Sequence, residues 1–346
     1  MQKTLLPFLA VALGCATTFQ AQADLTVVSH GGANKDAQVK AFYVPFSQQT
    51  GTHIVSDEFN GEMAKVKVQV DTGSVSWDVV EMEMPELARA CDEGLLQEIG
   101  ANPAISKLTP ILLEGAVQTC GVGFFVWSTV LAYNADKLKV APTGWADFWN
   151  VEKFPGKRGL RKGAMYTLEF ALMADGVDPK DVYSVLSTKS GQDRAFAKLD
   201  KIKPYIQWWE AGAQPPQYLA SGDVVMSSAY NGRIAAVQNE SNLRTVWSGG
   251  IYDMDAFAIP KGARNTEEGL RFIQYVLGVD AQKNYAEQIA YGPVNGQAVL
   301  LVDAKRRSNM PTDQANLAHQ VAMNASFWAD HGEQLEQRFN AWAAKQ

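Results

Sequence analysis

Fourteen consecutive residues, Gly121 to Asn134 (Gly-Val-Gly-Phe-Phe-Val-Trp-Ser-Thr-Val-Leu-Ala-Tyr-Asn), read as one uninterrupted β-type run. A typical strand has about five or six residues, so a run of this length is long enough to leave one folding unit and enter another. A second β-rich run, Ile251 to Pro260, lies about 120 residues later and makes the return crossing. The two crossings place residues 24–129 in an N-terminal lobe, 130–253 in a C-terminal lobe and 254–299 back in the first, and the end of the chain, 300–346, is assigned to the C-terminal lobe. With 346 residues, 47% of them hydrophobic and 20% charged, the chain has enough apolar surface to bury a core in each lobe.

Elsewhere short β-type runs alternate with helical patterns, the signature of parallel α/β units. Leu25–Val28 predicts the first strand and His30-Gly31-Gly32 the turn after it. Val39, Phe42 and Phe46 recur at helical spacing as far as Gly51, which suits a left-handed C-terminal cap, and Pro45 predicts a kink on the way. Further strands are predicted at His53–Val55, Trp77–Val80 and Asp223–Met226, and a polar amphipathic helix at Glu62–Val70. Asn265 followed by Glu268 predicts a capping box ahead of Leu270, Ile273 and Leu277, and Leu335, Phe339 and Trp342 mark a closing helix.

Lys3, the apolar stretch Leu5–Ala16 and the triplet Ala21-Gln22-Ala23 have the layout of a secretory signal peptide cleaved after Ala23. That stretch is about 12 residues, against the roughly 20 that span a bilayer, and no later segment reaches that length. The expected product is an exported, soluble chain beginning at Asp24. A lipid anchor on Cys15 is the alternative, but Ala12 stands where a lipid-attachment box places Leu. Loss of the leader leaves Cys91 and Cys120, an even pair in an oxidising compartment, so a disulfide is expected. Its loop of about 30 residues corresponds to roughly 3 to 4 kcal/mol in the chain-entropy account. A net charge of −6 gives no electrostatic footprint for nucleic acid or an anionic membrane.

Searches for catalytic parts return little. No Gly-x-x-x-x-Gly-Lys phosphate loop, Gly-x-Gly-x-x-Gly fingerprint or Gly-x-Ser-x-Gly elbow is present. The four histidines, His30, His53, His319 and His331, have no helical metal-pair spacing, so neither a metal site, a cofactor nor a catalytic residue is expected. Two carboxylate pairs, Glu81-Met82-Glu83 and Asp253-Met254-Asp255, each put both acids on one face of a strand. Either pair could be an acid/base couple, but most such pairs are solvated strand edges or amine ligands. Aromatic residues near turns, among them Trp208, Trp209, Tyr166, Tyr230, Tyr252 and Tyr291, suit a box for an alkylammonium group, while Trp77, Trp127 and Trp342 read as core.

The order of segments resembles the solute-binding proteins of bacterial ABC importers, in the branch that includes spermidine/putrescine-binding proteins. The resemblance covers essentially the whole mature chain. Its carriers are Phe46-Ser47-Gln48-Gln49-Thr50-Gly51, Trp77-Asp78-Val79-Val80, Cys91-Asp92-Glu93-Gly94-Leu95-Leu96, Trp145-Ala146-Asp147-Phe148-Trp149, Phe154-Pro155-Gly156-Lys157-Arg158-Gly159, Tyr230-Asn231-Gly232-Arg233 and Tyr252-Asp253-Met254-Asp255-Ala256-Phe257-Ala258-Ile259-Pro260. It implies an α/β fold of two Rossmann-like lobes joined by crossing strands, the type II periplasmic-binding-protein architecture. It also implies a ligand in the cleft, a periplasmic location, an inner-membrane ABC permease as partner, and a monomer.

Carried over residue by residue, the resemblance implies that Asp255 pairs with an amine and that Tyr230 and Tyr291 line the cleft. Where polyamine binders have a second acidic pair, this chain reads Arg161-Lys162-Gly163-Ala164-Met165-Tyr166, and the loop after the first strand reads His30-Gly31-Gly32-Ala33-Asn34. A buried diamine needs an anion at each end, because an unpaired buried charge costs several kcal/mol. Arg233, near a helix start, is expected to clamp a carboxylate, with an internal salt bridge to Asp253 or Asp255 as its competing use. The expected ligand is therefore a small amine-bearing zwitterion, an ω-amino acid such as 4-aminobutyrate, with a polyamine as the alternative. The full set of expected contacts is Asp255, Arg233, Tyr230, Tyr291, Tyr166, Asp253, Glu83, His30, Gly31 and Trp208.

Overall fold

The computed structural model describes residues 24–59 and 62–345. The expected leader, its cleavage point after Ala23 and the alternative anchor at Cys15 lie outside the described residues. Among the described residues ten strands form one continuous sheet: β1 (Leu25–Ser29), β2 (Ile54–Glu58), β3 (Val79–Glu83), β4 (Gly121–Asn134), β5 (Arg158–Arg161), β6 (Ile206–Trp209), β7 (Met226–Tyr230), β8 (Leu243–Ala258), β9 (Gly292–Pro293) and β10 (Gln320–Ala322). Their order is β2-β1-β3-β8-β4-β7-β5-β6, with β9 paired to β4 and β10 to β8.

The pairing directions explain how one sheet makes two units. β2, β1 and β3 are mutually parallel, as are β7, β5 and β6. Between these sets run the two long strands, and the contacts β3·β8, β8·β4 and β4·β7 are all antiparallel. The first half of β4 therefore runs with β3, and its second half runs against β7. The parallel strands of the two units point at each other, and their carboxyl ends meet beside the middle of β4. In open α/β sheets that edge is where ligands bind. The β4·β8 ladder slips in register between Gly123 and Phe125 and again between Thr129 and Leu131.

The predicted run 121–134 coincides with β4, whereas β8 starts at Leu243, eight residues before the predicted return, because the polar Arg244 and Thr245 hide its pattern. Gly51 caps its helix at φ 80°. Pro45 acts as predicted but through a specific device. It has no N–H for the carbonyl four residues back, and the helix widens into a single π turn, Val39–Tyr43, just before it. The expected capping box at Asn265 and Glu268 does not form. The Asn265 side-chain amide donates to Asp78 Oδ2 at 3.1 Å and to the Asp24 carbonyl at 3.0 Å, and Glu268 accepts from Thr52 and Arg271. Asp78 also accepts from the Thr26 N–H, so it ties β1 to that helix and β3 begins only at Val79.

The core is apolar and aromatic on both sides of the crossing strands, with Phe124 stacked on Phe257 at 3.9 Å in one unit and Trp145 on Phe170 at 3.7 Å in the other. Cys91 and Cys120 are joined as a disulfide, fixing the helix Met84–Asp92 to the residue before β4. Among the described residues, no helix is long and apolar enough to cross a membrane.

Candidate functional site

Sheet register brings the two acidic pairs together. Glu83 lies directly opposite Asp255, and Asp255 opposite Phe125, while Asp253 lies opposite Trp127. Four carboxylates, Glu81, Glu83, Asp253 and Asp255, thus gather where β3 ends against the crossing strands. Glu81, Asp253 and Asp255 are buried.

Glu81 is held by three donors: the His30 backbone N–H at 3.1 Å, Asn34 Nδ2 at 2.6 Å and Gln38 Nε2 at 2.9 Å. A second layer orients those amides. The Tyr285 hydroxyl donates to Asn34 Oδ1 at 2.7 Å, and the Tyr43 hydroxyl to Gln38 Oε1 at 2.8 Å. Trp127 Nε1 donates to Asp255 Oδ1 at 2.8 Å. Asp253 Oδ1 accepts its neighbour's N–H, and its Oδ2 is buried without a partner. Burial pushes Asp255 well above the usual carboxylate range, and the charges of Glu81 and Glu83 add to it. Asp253 is raised the same way, by burial and then by Glu83. Glu83 caps the next helix reciprocally with Glu86, and burial, reinforced by Glu83, lifts Glu86 to about 7. This wall has more carboxylates than it has donors or cations to hold their charge, and Asp253 and Asp255 are accordingly pushed toward the protonated form.

The glycine turn after β1 sets the floor beside it. Gly31 has φ 77°, a backbone conformation that side-chain-bearing residues rarely adopt, so glycine suits the turn. The turn leaves the His30 ring stacked on Phe59 at 5.1 Å, with Nε2 3.9 Å from Asp255 Oδ2.

The opposite wall is built at the carboxyl ends of β5 and β7. Arg161 ends β5, half-buried, its backbone N–H fixed to Ser228 Oγ at 3.2 Å and its guanidinium 5.9 Å from the Tyr166 ring centre. Burial disfavours its charge, but Tyr230, Tyr166, Glu83 and Glu336 outweigh that and hold it above the ordinary arginine value. Neither Glu83 nor Glu336 comes within the 4.0 Å of an ion pair, and the guanidinium donates no hydrogen bond within the chain among the described residues. Tyr166 has φ 69°, a strained value for an aromatic residue, and its buried hydroxyl has no partner. Its ring meets Trp127 edge-on at 5.9 Å. Tyr230 packs against Trp127 and Trp209 at 5.3 and 5.4 Å, and Tyr291 stacks on Phe125 at 5.0 Å.

Register, ring contacts and mutual electrostatics bring Asp253, Asp255, Glu83, His30, Tyr166, Tyr230 and Tyr291 together, with Gly31 next to His30 and Arg233 outside them, while Trp208 lies elsewhere. Strand alternation sends Trp208 away from Trp209 and onto Phe339 and Trp342 of the last helix, at 5.6 and 6.1 Å. Arg233 also differs from its expected role. It is exposed in the first turn of the helix Asn231–Ser241 and makes no ion pair with Asp253 or Asp255, so it stands at the rim. Trp127, expected as core, is buried yet donates into the cleft. Arg161, Glu81, Asn34 and Gln38 are additions. For Arg161 the signal was the basic segment standing where polyamine binders carry acids.

Residues 41–312 match the family described as bacterial extracellular solute-binding protein. The chain is 54% identical over 341 residues to the gamma-aminobutyric acid-binding protein of Pseudomonas aeruginosa, covering 98% of this chain and 96% of that one. It is 26% identical over 276 residues to the spermidine/putrescine-binding periplasmic protein of Escherichia coli K12, covering 73% and 75% respectively. A solved structure, that of the Atu4243–GABA receptor, superposes with a TM-score of 0.84 at 34% identity, covering 94% of this chain and 98% of the other.

Proposed function

This chain belongs to the bacterial extracellular solute-binding proteins, and from that premise we propose that it captures an ω-amino acid, 4-aminobutyrate or a close homologue, for delivery to an ABC permease of the inner membrane. The observation that carries the reading is the pairing, across one cleft, of a carboxylate cluster with a guanidinium that has no anion. The ammonium end of the ligand sits at Asp255 with Glu83 and Asp253 around it, against the aromatic faces of Trp127 and Tyr230. The carboxylate end meets Arg161 and the Tyr166 hydroxyl. Arg233 steers from the rim. An α-amino acid carries its ammonium and carboxylate on one carbon and cannot separate them as an ω-amino acid does, and a diamine leaves Arg161 facing a like charge.

Capture is reversible binding without turnover, in keeping with relatives that are solute-binding proteins rather than enzymes. The protein acts in the periplasm as a monomer, after removal of residues 1–23. The lobes 24–129 plus 254–299 and 130–253 plus 300–346 close on the ligand, bending where β4 and β8 slip in register near Thr129 and Leu131. Putrescine is the second reading. It is favoured by the number of carboxylates and by the polyamine-binding relatives, and opposed by Arg161.

Thermal melts with 4-aminobutyrate, putrescine, spermidine and α-amino acids test the reading. A saturating shift with 4-aminobutyrate, worth about 2.7 kcal/mol at a hundredfold excess over Kd, is the expected result. A shift with putrescine alone replaces the ω-amino acid by the diamine.

A further inference from the structure

The histidine in the glycine turn does something that amine recognition leaves unexplained. The buried Nε2 of His30 has no hydrogen-bond partner and points at two carboxylates that also lack a cation, and when unprotonated it offers a lone pair beside theirs, a donor set that suits a cation needing several ligand atoms at once. One ligand atom each from His30, Glu81 and Asp255 lie within 4.8 Å of one another. We propose that these three side chains form a binding site for a first-row divalent metal ion, zinc before the others, that occupies the amine end of the cleft and competes with the ligand.

The donor set matches that chemistry. One imidazole nitrogen and two carboxylates with a fourth position left to water is a tetrahedral zinc set, whereas magnesium and calcium ask for six or more oxygens. Two ligands of one tetrahedral zinc stand about 3.4 Å apart, given bonds of about 2.0 to 2.1 Å. His30 Nε2 and Asp255 Oδ2 stand 3.9 Å apart, too far for a hydrogen bond and close enough for a small rotation to bridge. Glu81 Oε1 accepts only from Asn34, so a lone pair remains. Support around the ligands is already in place: Phe59 stacks on the imidazole, Gln38 and Asn34 orient Glu81, and Trp127 orients Asp255. The cysteines are joined to each other and offer no thiolate competitor. Sequence spacing predicts no metal site here because the ligands come from β3, β8 and the turn after β1, separated by 51 and 174 residues.

The test uses cobalt as a visible probe and zinc as competitor on the purified protein after EDTA treatment. The expected result is a one-to-one, saturable cobalt band of tetrahedral intensity that zinc displaces, together with a zinc-induced rise in melting temperature. The apparent Kd for 4-aminobutyrate should rise roughly tenfold when free zinc is ten times its own Kd. His30→Ala, checked for folding by circular dichroism and backed by His30→Gln, should abolish the band and the zinc shift. Absence of a one-to-one site overturns the proposal. So does a cobalt band that survives both substitutions, which places the metal on His53, His319 or His331, or simultaneous binding of zinc and 4-aminobutyrate. If 4-aminobutyrate itself produces no shift, the ligand reading fails separately, and the metal site is judged on the His30-dependent band.

Discussion

The two walls of the cleft carry opposite kinds of incompleteness. On the β3 side, Glu81 is surrounded by donors and Asp255 by one indole, yet four carboxylates share the space, and Asp253 and Asp255 are driven up by burial and then by the glutamates beside them. On the β5 side the surplus is of donors, since among the described residues neither the Arg161 guanidinium nor the Tyr166 hydroxyl has a hydrogen-bond acceptor. One wall lacks a cation and the other lacks an anion. A ligand with one of each at its two ends relieves both at once, and this makes the contrast between the walls the basis of selectivity.

The sharpest way to break the contrast is to remove the cation. Arg161→Ala should weaken 4-aminobutyrate by about 2 to 5 kcal/mol, the range for truncating one side of a desolvated charge pair, while the ligand-free melting temperature falls only slightly, because the nearby Tyr and Glu groups favour the guanidinium charge in the fold. Calorimetric titration and a melt on one sample give both numbers. On the acidic wall the largest effect concerns stability. Cys91→Ser frees the helix that carries the Glu83–Glu86 cap and should lower unfolding free energy by roughly 3 to 4 kcal/mol in urea titration, leaving the ligand-binding side chains in place.

A pH test separates the walls again. Glu169 lies behind Tyr166, its Oε1 accepting from Trp328 Nε1 at 2.7 Å, and burial raises it to about 7. Its folded value is above its unfolded value, so no penalty exists below about pH 4.5, and stability is lost as pH climbs from there through 7. The loss amounts to about 3 kcal/mol. Glu169→Gln should flatten this slope between pH 5 and 8 in chemical denaturation. Asp255→Asn is expected to be smaller in energy and opposite in its two readouts. Amine affinity falls at least tenfold, and the ligand-free protein melts higher, because one of the crowded acids is neutral. Trp208→Ala should leave affinity within a factor of two while lowering the melting temperature through lost packing on Phe339 and Trp342.

The acidic wall was more legible in the sequence than the basic wall. Alternation along a strand puts Glu81 with Glu83 and Asp253 with Asp255, and the return crossing places the second pair at mid-molecule, but that the two pairs meet is set by the pairing of β3 with β8, which no local pattern shows. Nothing local says that Arg161 turns inward. That depends on β5 ending at residue 161 and on Tyr166 adopting a positive φ, which folds the segment 162–166 back over the guanidinium. Arg233 was the more visible arginine because it follows a turn motif, but the helix it starts presents it to solvent. The adjacent tryptophans look alike in sequence, and alternation sends only Trp209 toward the cleft. The missed capping box has the same origin, since Asp78, 187 residues away, captures Asn265 first.

Calorimetric titration of the wild-type protein and Arg161→Ala with 4-aminobutyrate and putrescine, side by side, tests the central claim most directly. The account predicts that the wild type prefers 4-aminobutyrate by at least a hundredfold and that the substitution removes this preference by weakening 4-aminobutyrate far more than putrescine. A wild type that prefers putrescine, or an Arg161→Ala variant that binds 4-aminobutyrate as tightly as before, would contradict it.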